Sequence, residues 1–526
     1  MFNIVYFKNM DITLLKEPLV EFADNFLCDD PKKGIAQTGF YSLSNNTHNS
    51  EIHYSIIGTN QNVEDFKNWI HKFQNPIEAS AKEIKIKDDT EIEDDGSISE
   101  NSLFSDDEFD FFTEENPTQT INKKLNPDFP GFNKDSIFKC EFLLDKSNEG
   151  IIKKSDIDTI LKSKSTNTEK SKSIIELYIS AYQDIIEYAQ KIPNICYIVI
   201  PSDVYKKLAS IKNGKSYLNF RRQLKAKTFA CNRSIPIQIV LEDTITGSKK
   251  SMQDLSMTAW NFVVAQYYKT DNCIPWTLTD VDSDTCFIGI SFHKILDGEN
   301  KYMRSSIAQA FNKDGKGLIF TGKQFEWDSK KTRVSTPHLK YDYAKELVYN
   351  VLNNYIRINK HTPKRVVIHK TSDFWDAYKH KDYAEIDGFS EGIKKALNNI
   401  NVEIDYVTVK TAKQKLFRET GEYPVMRGTL LKIDNFNGVL YTTGYIPYYE
   451  SYPGVHIPMG LHIETIGETT LTQICEEILA LTKLNFNNCN YYSSLPITLQ
   501  FSHRVGEILQ YLPEGIEPPN RYFYYM

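Results

Sequence analysis

This chain lacks the features that would put it in a membrane, in a disulfide-built secreted fold or around a structural zinc. No run of about 18 apolar residues occurs, which excludes a membrane-spanning helix as a reading of the sequence. The eight cysteines are scattered, without a CxxC pair or zinc-ligand spacing. That pattern fits reduced thiols and excludes the zinc-ribbon and disulfide-scaffold classes. Cys196 and Cys286 sit in apolar runs and read as small core residues. The opening Met1-Phe2-Asn3-Ile4-Val5-Tyr6-Phe7 has no basic stretch leading into a long apolar one, so it reads as a strand and not a signal peptide. No solenoid-type repeat is present.

The chain also lacks the positive balance of a nucleic-acid binder: its formal net charge is −7. One segment accounts for this. Asp88 to Glu115 holds 13 Asp or Glu and no Lys or Arg, and without it the remainder carries +6. Rich in Ser, with Asn, Gly and a few phenylalanines (Phe104, Phe109, Phe111, Phe112), this run reads as a disordered insertion. It has three readings: a solvated surface loop, a nucleic-acid mimic competing for a basic groove, or a segment that docks a partner.

What is present is ample. At 526 residues, rich in Ile, Lys, Asn and Tyr, the chain suffices for two or three domains with real cores. Strand-like Asn3 to Phe7 and Glu51 to Ile57 flank the start, with a helix near Val63 to Phe73. Ile137 to Leu144 reads as a strand, and Lys162 to Lys172 as a polar linker. Ile174 to Ile192 has helical periodicity and runs into the fully apolar Tyr197-Ile198-Val199-Ile200. A second apolar strand, Ile235 to Val240, precedes a helix over Met257 to Lys269. Strands alternating with helices imply an α/β fold with a parallel sheet covered on both faces. Later helices are expected over Tyr341 to Ile358 and Leu471 to Lys483.

Tyr217-Leu218-Asn219-Phe220-Arg221-Arg222-Gln223-Leu224-Lys225-Ala226-Lys227 is basic and helix-compatible. Four residues apart, Tyr217 and Arg221 would share one helix face. An aromatic ring beside a cation can stack on a terminal base while the cation takes its phosphate. Gln238 lies near the end of its apolar strand, and Lys269 ends the next helix. Taken alone, the basic stretch reads first as a merely solvated helix.

Three segments carry a family resemblance. Cys286-Phe287-Ile288-Gly289-Ile290-Ser291 and Arg365-Val366-Val367-Ile368-His369-Lys370-Thr371 read as buried strands, and Leu495 to His503 leads into a helix. In this order they resemble the catalytic segments of an Argonaute PIWI domain, which has an RNase H-like fold. The spacing of Tyr217, Arg221, Gln238 and Lys269 resembles the 5′-phosphate pocket of the Argonaute MID domain. Arg427-Gly428-Thr429, Gly444-Tyr445-Ile446-Pro447, Leu481 to Asn485, Asp30-Pro31-Lys32-Lys33-Gly34 and Pro130-Gly131-Phe132 fall in matching order. The whole is similar to short prokaryotic Argonautes, most of all the Argonaute subunit of TIR-APAZ systems.

The resemblance implies an α/β chain in four parts: residues 1–80 joined to MID, an acidic insertion over 81–125, a Rossmann-like MID domain over 126–284, and an RNase H-like PIWI domain over 285–526. It implies that Tyr217 stacks on the first guide nucleotide while Arg221, Gln238 and Lys269 hold its 5′-phosphate. Arg221 stands where the family more often has Lys, and Ala265 where it often has a second Lys. Gln238 and the carboxylate of Met526 would hold a Mg²⁺ there; Lys225 and Arg504 would touch nucleic-acid backbone. No catalytic residue is expected, because Ser291 and Thr371 replace the metal-holding aspartates, and hydroxyls cannot supply the charge that two-metal cleavage requires. His503 matches a fourth catalytic position and is expected to be structural or a backbone contact. The implied function is to bind a short 5′-phosphorylated guide RNA and to recognise complementary single-stranded DNA of phage or plasmid. A heterodimeric APAZ-bearing effector would then be activated for abortive infection, with higher oligomers forming. TIR NADase is the first choice of effector, and sirtuin-like or nuclease effectors are the alternatives. NAD would bind the partner and not this chain; the location would be bacterial cytoplasm, away from membranes. An active nuclease relying on Asp282, Asp284 or Asp373, and a guide-free protein-binding module, are the remaining readings.

Overall fold

The computed structural model describes residues 11–45, 47–80, 122–213, 216–248, 253–270, 273–294, 302–327, 334, 336–378, 380–381, 383–418, 421–454, 457–500, 502–513 and 515–526. The acidic run Asp88 to Glu115 and the strand expected at Asn3 to Phe7 lie outside them.

In Ile195–Ile200 every residue is buried. Its alternation sends Tyr197 and Val199 to one apolar cluster and Cys196, Ile198 and Ile200 to another, as a parallel strand covered on both faces requires. It pairs in parallel with Glu51–Gly58 on one side and Ile237–Leu241 on the other; Glu141–Ile151 completes a four-stranded parallel sheet beside Glu51–Gly58. Helices Asn60–Phe73 and Leu255–Lys269 pack on the first face, and Asn167–Tyr188 on the second. Helix Phe220–Phe229 contributes to both clusters: Phe220 and Leu224 to one, Ala226 and Phe229 to the other. This is the expected Rossmann-like unit. The linker expected over Lys162 to Lys172 is shorter than its polarity suggests. Helix Lys154–Lys162 occupies its start, and a reciprocal Thr166–Glu169 capping box opens the next helix at Asn167.

The second sheet has nine strands. Thr285–Lys294, Tyr302–Phe311 and Thr321–Glu326 pair antiparallel, while Thr285–Lys294, Arg365–Lys370 and Glu403–Thr411 run parallel. In space these five lie as third, second, first, fourth and fifth, the RNase H-like order. Cys286, Ile288, Ile290, Val366 and Ile368 pack under helices Tyr341–Asn359 and Glu385–Ala396. Phe287 and Val367 face the opposite layer, built from Leu471–Leu481 and the helices Ile497–Gln500 and Ser502–Leu509.

The N-terminal region serves both units. Asp11–Leu14 is the edge strand of the second sheet, paired with Thr429–Lys432, whereas Glu51–Gly58 lies inside the first. Glu17, between them, is clamped by both its oxygens on Arg427 Nε at 3.0 Å and by Lys483 at 2.6 Å. Residues 122–125, expected to end the acidic insertion, are anchored: Asn122 donates to the Tyr449 carbonyl at 2.8 Å and Lys32 to the Leu125 carbonyl at 2.7 Å. One apolar cluster runs from Trp260 through Tyr268, Trp276 and Phe486 to Tyr522, Tyr525 and Met526, so the last residues lie in the seam between the two units.

Candidate nucleic-acid interface

The basic stretch divides where a continuous helix was expected. Tyr217 lies in strand Ser216–Asn219, opposite Lys212 of Ser210–Asn213, and the helix begins only at Phe220. Asn219 sets this break. Its side chain caps Arg222 N at 3.1 Å, and its own N–H donates to Tyr511 Oη at 3.0 Å. Tyr217 and Arg221 therefore do not share a helix face. Tyr217 is 62% exposed on its hairpin, as a ring that stacks on a ligand must be before that ligand arrives. Arg221 stands in the first helical turn, 5.5 Å from the Tyr205 ring. Arg222 beside it pairs with Glu507 at 2.7 Å and ties this helix to Ser502–Leu509.

One turn after Arg221 comes Lys225, expected along the nucleic-acid backbone. It is buried instead, and its ammonium donates to the main-chain oxygen of Met526. Lys269, the last residue of its helix and 1% exposed, donates to Gln238 Oε1 and, at 3.4 Å, to the same Met526 oxygen. Gln238 is the second residue of Ile237–Leu241, not near its end, and its amide donates to the Ile239 carbonyl at 3.2 Å. Thus Lys225, Gln238, Lys269 and Met526 meet in the seam, gathered from the middle of one helix, the start of a strand, the end of another helix and the final residue. Lys225 is the member that sequence reasoning misplaced. The available signal was its i,i+4 relation to Arg221 on a helix whose neighbours Leu224 and Phe229 are apolar.

Burial, with Arg221 beside it, pushes the Lys225 ammonium down to about 7. Burial and the Lys225 charge push Lys269 well below the ordinary lysine value. Two buried ammoniums that disfavour their own charge form a place where an oxyanion gains much: it restores both charges and meets donors already fixed in position. The donor set fits such a protein cation pair better than an added Mg²⁺. Of the atoms that the resemblance gives to the metal, Gln238 Oε1 and a Met526 oxygen both accept from ammonium groups.

The second candidate region is where the three PIWI-like segments converge. The parallel ladder between the first two strands ends at Ile290 and Lys370, and Ser291 and Thr371 follow directly. The first strand does not stop there. It continues to Lys294, with a register shift between Gly289 and Ser291. The third segment packs onto it so closely that a Cβ on Gly289 would stand 1.8 Å from the Thr498 carbonyl oxygen. Thr498 Oγ1 also meets His369 Nδ1 at 2.8 Å, and burial holds His369 neutral with its pKa near 3. The acids weighed for a nuclease are engaged elsewhere, Asp282 Oδ1 by accepting from Asp284 N at 2.9 Å. Asp373 pairs with Lys410, and Asp284, at the far end of the first strand, pairs with Lys364 at 2.5 Å and His361 at 2.9 Å. Among the described residues no group of three or more His, Cys, Asp or Glu is disposed to hold a metal, and no helix is long and apolar enough to cross a membrane. His503 and Arg504 fall in helix Ser502–Leu509, their side chains outside the described part.

No family model and no curated protein matches the chain in sequence. Solved structures match in fold. Clostridium butyricum Argonaute bound to a guide DNA and a 19-mer target DNA superposes with a TM-score of 0.59 at 16% identity, covering 99% of this chain and 56% of that one. Drosophila Piwi gives 0.54 at 11% identity, over 98% and 56% of the two chains. Marinitoga piezophila Argonaute in complex with 5′ OH guide RNA gives 0.52 at 12%, over 95% and 59%. This chain therefore spans a little over half the length of these structures. Its four-stranded parallel unit followed by a nine-stranded RNase H-like unit is an Argonaute-like MID-PIWI fold.

Proposed function

We propose that this chain binds the 5′-phosphorylated end of a short guide RNA in the seam between its two units, pairs that guide with single-stranded DNA, and does not cut the paired strand. The observation that carries the reading is the meeting of Lys225, Lys269 and Gln238 at Met526, with Arg221 beside Lys225 and an exposed Tyr217 on the hairpin that leads into the same helix. A terminal phosphate satisfies those donors, and a terminal base has a ring to stack on. Specificity comes from base pairing; the protein contributes backbone contacts, which carry no sequence information. Ser291 and Thr371 give the paired strand no carboxylate at the ends of the central strands. A sensor that binds without cutting needs an output. We assign it to an APAZ-bearing effector in heterodimer with this chain, a TIR NADase first, with sirtuin-like or nuclease effectors as the alternatives. Pairing would activate the effector and halt an infected cell.

The test is co-expression with the neighbouring gene product, sequencing of co-purified nucleic acid, and NAD⁺ measurement after adding complementary single-stranded DNA. Short 5′-phosphorylated RNA together with DNA-triggered NAD⁺ loss is the expected result. RNA without NAD⁺ loss would keep the guide reading and move the output to a nuclease. Absence of RNA would overturn it.

A further inference from the structure

The oxygens that a metal would use in this pocket are already occupied by the protein's own basic groups. Lys225 lies beside Arg221 and shares the Met526 carboxylate with Lys269, so three basic groups and one carboxylate face a phosphate monoester that carries about −1.5 to −2 near neutrality. A divalent ion would add two further positive charges directly beside two buried ammoniums, where like charges are screened least. Its ligands would also have to be freed. Gln238 Oε1 accepts from Lys269, and the Met526 main-chain oxygen accepts from Lys225 and Lys269. Mg²⁺ demands near-octahedral oxygen ligation at about 2.0–2.1 Å. Seating it on these two oxygens would displace both ammoniums from the acceptors they hold and crowd like charges in a buried site, a costly arrangement.

We propose that this pocket binds its terminal phosphate without a divalent ion, with the Lys225 and Lys269 ammoniums in the metal's place on Gln238 and Met526. The inference rests on the 5′-phosphate reading above and goes beyond it by naming the cation. It also assigns Lys225 a role the sequence pattern did not: it stands where a phosphate oxygen and the Met526 oxygen can share one donor group. Ala265, where a second helix lysine would stand, is fully buried within Leu255–Lys269, so the second ammonium comes from the other helix.

The experiment uses the full-length protein and one short oligoribonucleotide in two forms, with a 5′-phosphate or a 5′-hydroxyl. Affinities are measured by fluorescence polarisation in excess EDTA and in Mg²⁺ at matched ionic strength. The ratio of the two affinities isolates the pocket from general backbone binding. We expect a 5′-phosphate preference of at least about tenfold, changing by less than about twofold between EDTA and Mg²⁺. Lys225→Met should reduce that preference about tenfold or more, and Mg²⁺ should not restore it. A preference seen only with Mg²⁺ would overturn this inference and leave the phosphate pocket standing. Equal affinity for both RNAs under every condition would overturn the phosphate reading itself. If Lys225→Met does not fold, the wild-type comparison in EDTA and Mg²⁺ decides alone.

Discussion

At the scale of single residues, the chemistry turns on where a lysine ends up. Lys225 reads from sequence as one charge on a basic helix, and the fold buries it against Met526, 301 positions away. No local pattern reports that contact, because it depends on how the final residues thread the seam. Gln238 and Lys269 were legible as an apolar strand with one amide and an apolar helix ending in a cation, and the two do meet. Tyr217 was legible as a residue and illegible as geometry, since helix propensity across Tyr217 to Lys227 hides the cap at Asn219. A pH dependence follows. Burial and the neighbouring Arg221 push the Lys225 ammonium down to about 7, and a bound phosphate would favour that ammonium and raise the value. The phosphate's contribution is then fully present below about pH 7 and lost as pH rises through the bound-state value; below about pH 6 the phosphate itself gains a proton. The 5′-phosphate preference should therefore peak between about pH 6 and 7 and fall toward about pH 9, while the 5′-hydroxyl RNA shows no such fall. A preference that stays flat across this range would separate Lys225 from the phosphate. Tyr217→Ala with Arg221→Glu should abolish guide loading, and unchanged RNA occupancy in the purified variant would refute the pocket assignment.

At the scale of elements, the central strands of the second unit are held by two contacts of different kinds. Gly289 lets the third segment reach the sheet, and adding one methyl there meets backbone, which cannot rotate away. Gly289→Ala should displace helix Ile497–Gln500 and destabilise the chain by about 1–3 kcal/mol, as overpacking does, read as a lower denaturant midpoint; an unchanged midpoint would mean the helix slides freely. On the opposite face Lys370 and Glu385 form a fully buried ion pair, and Glu385 also accepts from Leu339 N at 3.1 Å and Trp375 N at 3.4 Å. Glu385→Leu leaves an uncompensated ammonium and should cost about 3–5 kcal/mol, whereas Lys370→Met with Glu385→Leu should recover most of that loss. A double variant as unstable as the single one would show that the backbone hydrogen bonds, not the charge pair, dominate. The parallel strands were legible because burial on both faces makes them continuously apolar, as in Ile195–Ile200. The central place of Glu51–Gly58 was not. Its partners start at residues 141 and 195, and a strand's neighbours are set by long-range packing that its own residues do not encode.

At the scale of the whole molecule, charge is divided along the chain in a way that would set how a nucleic acid approaches the proposed pocket. The run from Asp88 to Glu115 holds 13 acids, and without it the net charge changes from −7 to +6. Long-range steering follows the summed field and not any one contact, so deletion of residues 88–115 should raise the association rate with single-stranded nucleic acid. The gain should be largest at low salt, where the Debye length is about 30 Å at 0.01 M, and should vanish near 1 M, where it is about 3 Å. Stopped-flow association rates across a salt series, for the full chain and the deletion, measure this directly. Equal rates at low salt would mean that these acids lie far from the approach path and act as a solvated loop. A gain that survives at high salt would mean that the segment competes by contact and occupies the groove itself. The same series separates this effect from the pocket, because the 5′-phosphate preference is a ratio of two RNAs facing the same long-range field and should be unchanged by the deletion.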